Sequence, residues 1–216
     1  GSRGSGSIVI CLSLLNGLRR AGLDANFTIV SDNQYHHITE GFCDHIHIHY
    51  PEDALLRRDR DTPLYHALTL LKPDILIVNQ VWLHMFPILD DFDCVKVFTC
   101  RMAPDRWWHV PIPDNPITFT AEVYDLAYSI EPNYRYPGLT SVDPVIIRNR
   151  EEILDVEAAA KGLGKKPGEK LCVIAHNGLP GEMKELYEGL SDLRETYKIL
   201  QMDNSRETGI FPIADY

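Results

Sequence analysis

Short apolar runs alternate with stretches of helical periodicity along the 216 residues. That alternation is the pattern of a parallel sheet covered by helices, so an α/β class is expected. Residues 7–21 read as a mostly buried helix stopped by Gly22. Strands follow at residues 26–31 (NFTIVS) and 44–50 (DHIHIHY), the second with strict alternation. Residues 52–71 carry apolar side chains at helical spacing and end before Lys72-Pro73. The run 74–79 (DILIVN) reads as a fully buried strand, followed by a strand at 94–100 (CVKVFTC) and weaker ones at 116–120 and 127–130.

The pattern changes near residue 134, where Tyr, Pro and Gly break the periodicity. A helix is expected at 151–161, a turn at 162–169, a strand at 170–175 (KLCVIA), a helix at 181–195 and a strand at 197–202. The division that follows is a first domain at 1–140, a linker at 141–168 and the start of a second, similar domain at 169–216. Helical spacing begins at residue 7 with no strand before it, and the chain stops just after an apolar segment at Tyr216. A fragment of a longer protein is expected, with residues 1–7 either a glycine-rich turn or a cloning remnant.

Composition narrows the function classes. The formal charge is −10, from 21 basic and 31 acidic residues. Both halves about Trp108 are acidic, which argues against non-specific binding to nucleic acid or an anionic membrane. Five cysteines without a C-x-x-C pair read as free thiols in a reducing compartment. With no long apolar window and no secretory leader, a cytoplasmic setting is expected.

In parallel sheets, ligands bind beyond the carboxyl ends of the strands. That rule selects Asp32 and Asn33, then Asn79, Gln80 and His84, then Arg101, Glu131, and His176 with Asn177 and Gly178. The segment from His176 through Gly178, Pro180 and Gly181 runs from a strand into a helix, where free N–H groups attract phosphate. The same glycines also suit a plain tight turn with Pro180 opening the helix. Arg148 and Arg150 suit phosphate or carboxylate recognition, or ion pairs with an acidic surface. His45, His47 and His49 have the alternation of metal ligands without an acidic partner motif, so a polar strand face is expected and no metal site. Trp107-Trp108-His109 reads either as an aromatic lid or as loop packing. The Gly1-to-Gly6 turn, with Asp32 after a strand, also matches a short-chain dehydrogenase nucleotide turn, but no tyrosine has a lysine four positions later.

The glycine turn before the first helix, Pro73-Asp74-Ile75-Leu76-Ile77-Val78, the segment from Val142-Asp143-Pro144 through Arg148-Asn149-Arg150 to Leu154, and the His176-Asn177-Gly178 turn together resemble the GT-B glycosyltransferases. The resemblance implies two Rossmann-like domains, the second incomplete here, with a nucleotide-sugar donor and no further cofactor. It implies acceptor contacts from Arg3, Gly4, Ser5 and Gly6, and a donor diphosphate held by His176, Asn177, Gly178 and Gly181 with Arg148 and Arg150. Many members carry a histidine in the first turn as general base; this chain has none there, and His84 and Asp32 are the replacements. The part that grips the base and ribose would lie beyond Tyr216. Nucleotide-sugar epimerases and non-catalytic nucleotide- or sugar-binding fragments are the alternatives this resemblance leaves open. Acceptor, sugar and oligomeric state are left open as well.

Overall fold

The computed structural model describes residues 6–33, 35–50, 60–111, 116–175 and 180–202. They form a mixed α/β structure whose strands pair mostly in parallel. Contacts divide the chain into one unit of Asn26–Asp32 with Cys43–Val145, and another of Gly1–Ala25 with Asn33–Phe42 and Ile146–Tyr216. The boundary at 145/146 lies within the segment read as a linker. The first helix is grouped with the C-terminal residues and not with the strands that follow it.

In the strand-rich unit, β1 (Thr28–Ser31) and β2 (Asp44–His47) pair in parallel, Thr28 opposite Asp44. The ladder ends earlier than the alternation suggests, although Ile48 N–H still donates to Ser31 O at 2.9 Å. His49 therefore lies beyond the strand, and only His45 and His47 share its face. Helix α1 (Gly6–Arg20) belongs to the other unit, and α2 (Pro63–Leu71) is the helix between β2 and the next strand. Thr62 caps α2 by accepting from Tyr65 N–H at 3.2 Å, Pro63 occupies its first turn, and Lys72 ends it at φ 47°. Of the helix expected at 52–71, residues 51–59 lie outside the described residues.

Strands β3 (Ile75–Asn79) and β4 (Val95–Cys100) join β7 (Leu126–Ser129) and β8 (Thr140–Ser141) in a four-stranded parallel sheet, in the order β3-β4-β7-β8. Between β4 and β7, β5 (His109–Val110) and β6 (Ile117–Thr118) pair antiparallel. The strand expected to be buried throughout, 74–79, is buried on one face only. Leu76 and Val78 enter the core, whereas Ile75 and Ile77 are 49% and 37% exposed. The apolar run hid this two-residue period because both faces are aliphatic.

The core on the buried face is largely aromatic: Trp82, Phe98, Trp108, Phe119 and Tyr124 pack with Leu76, Val78 and Cys100. Trp82 opens a single helical turn, α3 (Trp82–Met85), too short for periodicity to reveal.

In the other unit, α1 buries Ile8, Leu12 and Leu15, which share a face at helical spacing. Its end is closed by Gly22 at φ 82°, with Leu23 N–H donating to Leu18 O and Gly22 N–H to Arg19 O. A residue in the left-handed region is needed there, and glycine takes it without steric cost. The helix expected at 151–161 is divided. A 3-10 turn at Arg150–Glu152 precedes α4 (Val156–Gly162), because extended Asp155 caps a new helix by accepting from Ala158 N–H at 2.8 Å.

Strand β9 (Lys170–Ala175), helix α5 (Pro180–Gly189) and strand β10 (Tyr197–Met202) follow, with Lys170 opposite Tyr197 in a parallel pair. The helix expected at 181–195 ends at Gly189, a poor helix former, and a separate 3-10 turn covers Ser191–Glu195. No described helix is long and apolar enough to cross a membrane.

Candidate functional site

The carboxyl ends of β3, β4 and β7 lie side by side, because these strands are parallel and in register. Asn79 Oδ1 accepts from Thr99 Oγ1 at 3.3 Å, and Gln80 leaves β3 in a left-handed conformation at φ 66°. Left-handed backbone is uncommon outside glycine, and here it turns the chain straight into α3. Arg101 Nε donates to Glu131 Oε1 at 3.2 Å across two neighbouring strand ends. The other carboxylate oxygen accepts from Met102 N–H at 3.1 Å. With Arg101 54% exposed, this pair organises the rim more than it stabilises the fold.

Of the two candidate bases, Asp32 is exposed immediately after β1. His84 is half-buried on α3, its ring edge-on to Tyr50 with centroids 4.3 Å apart. Gly6 is the first residue of α1 and Gly181 the second of α5. Arg3, Gly4, Ser5, His176, Asn177 and Gly178 lie outside the described residues.

The aromatic loop packs the core and does not form a lid. Trp108 is 0% exposed, and its Nε1–H donates to Tyr134 Oη at 2.7 Å. Tyr134 in turn donates to Ala103 O at 3.0 Å, so the indole and phenol are both satisfied inside. Tyr136 stacks on Trp108 at 4.1 Å. His109, at the exposed end of the loop, meets Thr118 Oγ1 at 3.2 Å.

None of the five cysteines forms a disulfide. Burial, with a smaller contribution from Glu131, pushes the Cys100 thiol up to about 12, which makes it a poor nucleophile at neutral pH. Among the described residues no three His, Cys, Asp or Glu side chains converge as a metal site would require.

A cavity of about 300 Å³ lies within the unit that contains α1. Its walls are Asn16, Arg19 and Arg20 from α1, Phe42, and Ile147, Arg148 and Glu152. Arg20 Nη2 donates to Ile147 O at 2.5 Å and to Glu152 Oε2 at 2.6 Å, while Arg20 Nε reaches Oε1 at 3.2 Å. Arg19 Nη2 donates to Phe42 O at 2.8 Å. Arg150 opens the adjacent 3-10 turn and is not part of the lining. Sequence reasoning singled out Arg148 but missed Arg19, Arg20 and Glu152. The adjacent arginines carried only the signal of cations at a helix C-terminus. Their approach to residues more than 120 positions away is invisible to local spacing.

Glu152 also accepts the Asn149 N–H. That bond, followed by the Arg20 guanidinium, holds its carboxyl below the usual range. A depressed carboxyl contributes stability above its unfolded value and loses it as pH falls through the folded value. Glu152→Gln is therefore expected to melt below the parent at neutral pH, with the difference shrinking on acidification. Melting curves across pH check this; a constant offset would refute it.

No family model matches the chain, and none of the curated proteins matches it significantly.

Proposed function

We propose that the chain is a nucleotide-sugar-binding part of a GT-B glycosyltransferase, with the donor diphosphate seated on the turn from His176 to Gly181. The observation that carries this reading is the parallel β9-α5-β10 unit. In such a unit the strand delivers its following turn to the N-terminus of a helix, where unsatisfied N–H groups face an anion. The segment that follows β9 in sequence, His176-Asn177-Gly178-Leu179-Pro180-Gly181, suits the task in its residue types. Two glycines let the backbone approach a pyrophosphate, and the asparagine offers an amide donor.

The chemistry is displacement at the anomeric carbon. The bond to the diphosphate oxygen breaks, the acceptor oxygen bonds to the same carbon, and the acceptor proton leaves to a base. N–H groups on the helix end stabilise charge accumulating on the leaving diphosphate. Asp32 or His84 receives the proton, and Arg3, Gly4, Ser5 and Gly6 border the acceptor. Arg148 and Arg150 supply further positive charge toward the donor in this reading. The five cysteines, none of them in a disulfide, suit a reducing, cytoplasmic setting in this reading.

The test is thermal stabilisation against nucleoside diphosphates, nucleotide sugars and nicotinamide cofactors, because selective binding to the folded state raises Tm. A rise with a uridine or guanosine diphosphate is expected, and Gly178→Trp should remove it. No rise with any nucleotide, or a rise with nicotinamide cofactors alone, would overturn the reading.

A further inference from the structure

We infer that the outer edge of β3 is the docking site for an added β-strand: an aliphatic segment of a partner polypeptide, preceded by basic residues and running parallel to β3. In a parallel ladder, alternate residues turn both main-chain groups toward the same neighbour. Val95 N–H donates to Asp74 O, and Gln80 N–H to Thr99 O. That register assigns Leu76 and Val78 to β4 and turns the N–H and C=O groups of Ile75 and Ile77 the other way. No described strand pairs with them there, because β3 is the last strand of its sheet. A row of alternating main-chain donors and acceptors is satisfied as a set only by another strand, as in β-augmentation.

The two edges of this sheet differ in a way that marks β3. At the opposite edge β8 is only two polar residues, Thr140-Ser141, a blunted end of the kind that discourages pairing. Strand β3 has five residues, without proline, glycine or charge, and its continuous register with β4 leaves no bulge to twist the edge away. Both of its faces are aliphatic. Leu76 and Val78 enter the core, and Ile75 and Ile77 are exposed on the other side, where Val95 of β4 is exposed too. A strand seated here buries side chains on both faces, so its sequence is a run of Val, Ile or Leu and not a polar–apolar alternation.

Charge selects the flank and the direction. The strand-rich unit holds 8 basic and 16 acidic residues. Exposed Asp74, Asp93 and Asp125 stand just ahead of β3, β4 and β7, where Lys72 and Lys96 offset part of their charge. A parallel partner strand brings its preceding residues to this rim, which matches lysine or arginine and repels acid. A second copy of the chain would bring the same negative charge, which argues against it as the occupant.

The probe is a fluorescein-labelled peptide of two lysines followed by an unbroken run of valine and isoleucine, titrated with the 216-residue chain and followed by anisotropy. Binding is expected, together with slowed exchange of the Ile75 and Ile77 amide hydrogens. Ile77→Pro removes an outward N–H and no bond to β4. Ile75→Glu places a charge on the exposed face while attracting the lysines, so a loss there reports the apolar contact. Each is expected to weaken binding by roughly tenfold, about the effect of one lost interaction of 1–1.5 kcal/mol. Melting curves establish that the variants are folded, and either one suffices if the other is not. N-methylation of alternate peptide bonds, or replacement of the lysines by glutamates, is expected to remove binding. The inference is overturned by absence of binding to the parent, by unchanged affinity in a folded variant, or by equal binding of the N-methylated or glutamate-flanked peptide. Dimerisation of the chain that Ile77→Pro abolishes would also overturn it, giving the edge to a second copy.

Discussion

Replacing Trp108 with alanine is expected to cost roughly 3–5 kcal/mol of unfolding free energy, the range for removing a buried large aromatic side chain. Trp108 is completely buried, stacks on Tyr136 and lies within 4.8 Å of the Phe119 ring centroid. Its removal leaves a void walled by rigid rings, which cannot collapse to fill it. It also deprives Tyr134 Oη of the indole donor, although that hydroxyl keeps its bond to Ala103 O. Against a typical total of about 5–15 kcal/mol, such a loss removes a large share of stability. Urea titration of parent and variant at equal slope reads the difference directly. A loss under about 1 kcal/mol would show that the aromatic loop is not part of the core. Trp108→Phe should fall between the two, since it restores a ring and not the N–H.

The second large effect is expected at Gly138, where two penalties coincide. Its φ of 81° lies in the left-handed region, and a Cβ there would sit 2.7 Å from the Ala121 Cβ. The backbone term is about 1–2 kcal/mol for an L-residue. Overpacking against a side chain that cannot rotate away adds about 1–3 kcal/mol. Gly138→Ala is therefore expected to lose about 2–5 kcal/mol. Gly22 supplies the control, because it too has a positive φ, 82°, but has nothing among the described residues within 4 Å of its Cβ position. Gly22→Ala should show the backbone term alone. Adding Ala121→Gly to Gly138→Ala should recover the steric part, and denaturant midpoints of the four chains form the cycle that measures it. Equal losses at Gly138 and Gly22 would mean that Ala121 moves aside freely.

Much of the α/β character was legible because strand and helix periods differ. The runs at 26–31, 44–50, 94–100, 170–175 and 197–202 all contain strands, and Gly22 closes the first helix as expected. Boundaries were less legible. Helix 151–161 divides because Asp155 offers a better cap than a continuous helix needs, and helix 181–195 stops at Gly189. Neither choice alters the apolar spacing, so periodicity alone could not separate one helix from two pieces. The weak run at 116–120 contains β6, but its partner β5 and the strand β8 were missed for another reason. β5 and β8 are each two residues long and are defined by their partners, not by their own composition.

The candidate chemistry divides in the same way. Local spacing placed Asn79, Arg101 and Glu131 at strand ends, and that is where they lie. It could not choose between a lid and a core for Trp107-Trp108, because burial of an aromatic side chain depends on what surrounds it. Nor could it bring Arg19 and Arg20 to Arg148 and Glu152, since ion-pair geometry across a long sequence separation is set by folding alone. By itself, then, the sequence determined the α/β class, the acidic charge and the order of the longer strands and helices, all of which follow from periodicity and composition. Tertiary structure decided the one-sided burial of β3, the division of the helices, the aromatic core and the arginine-lined cavity, because each depends on contacts between residues distant in the chain.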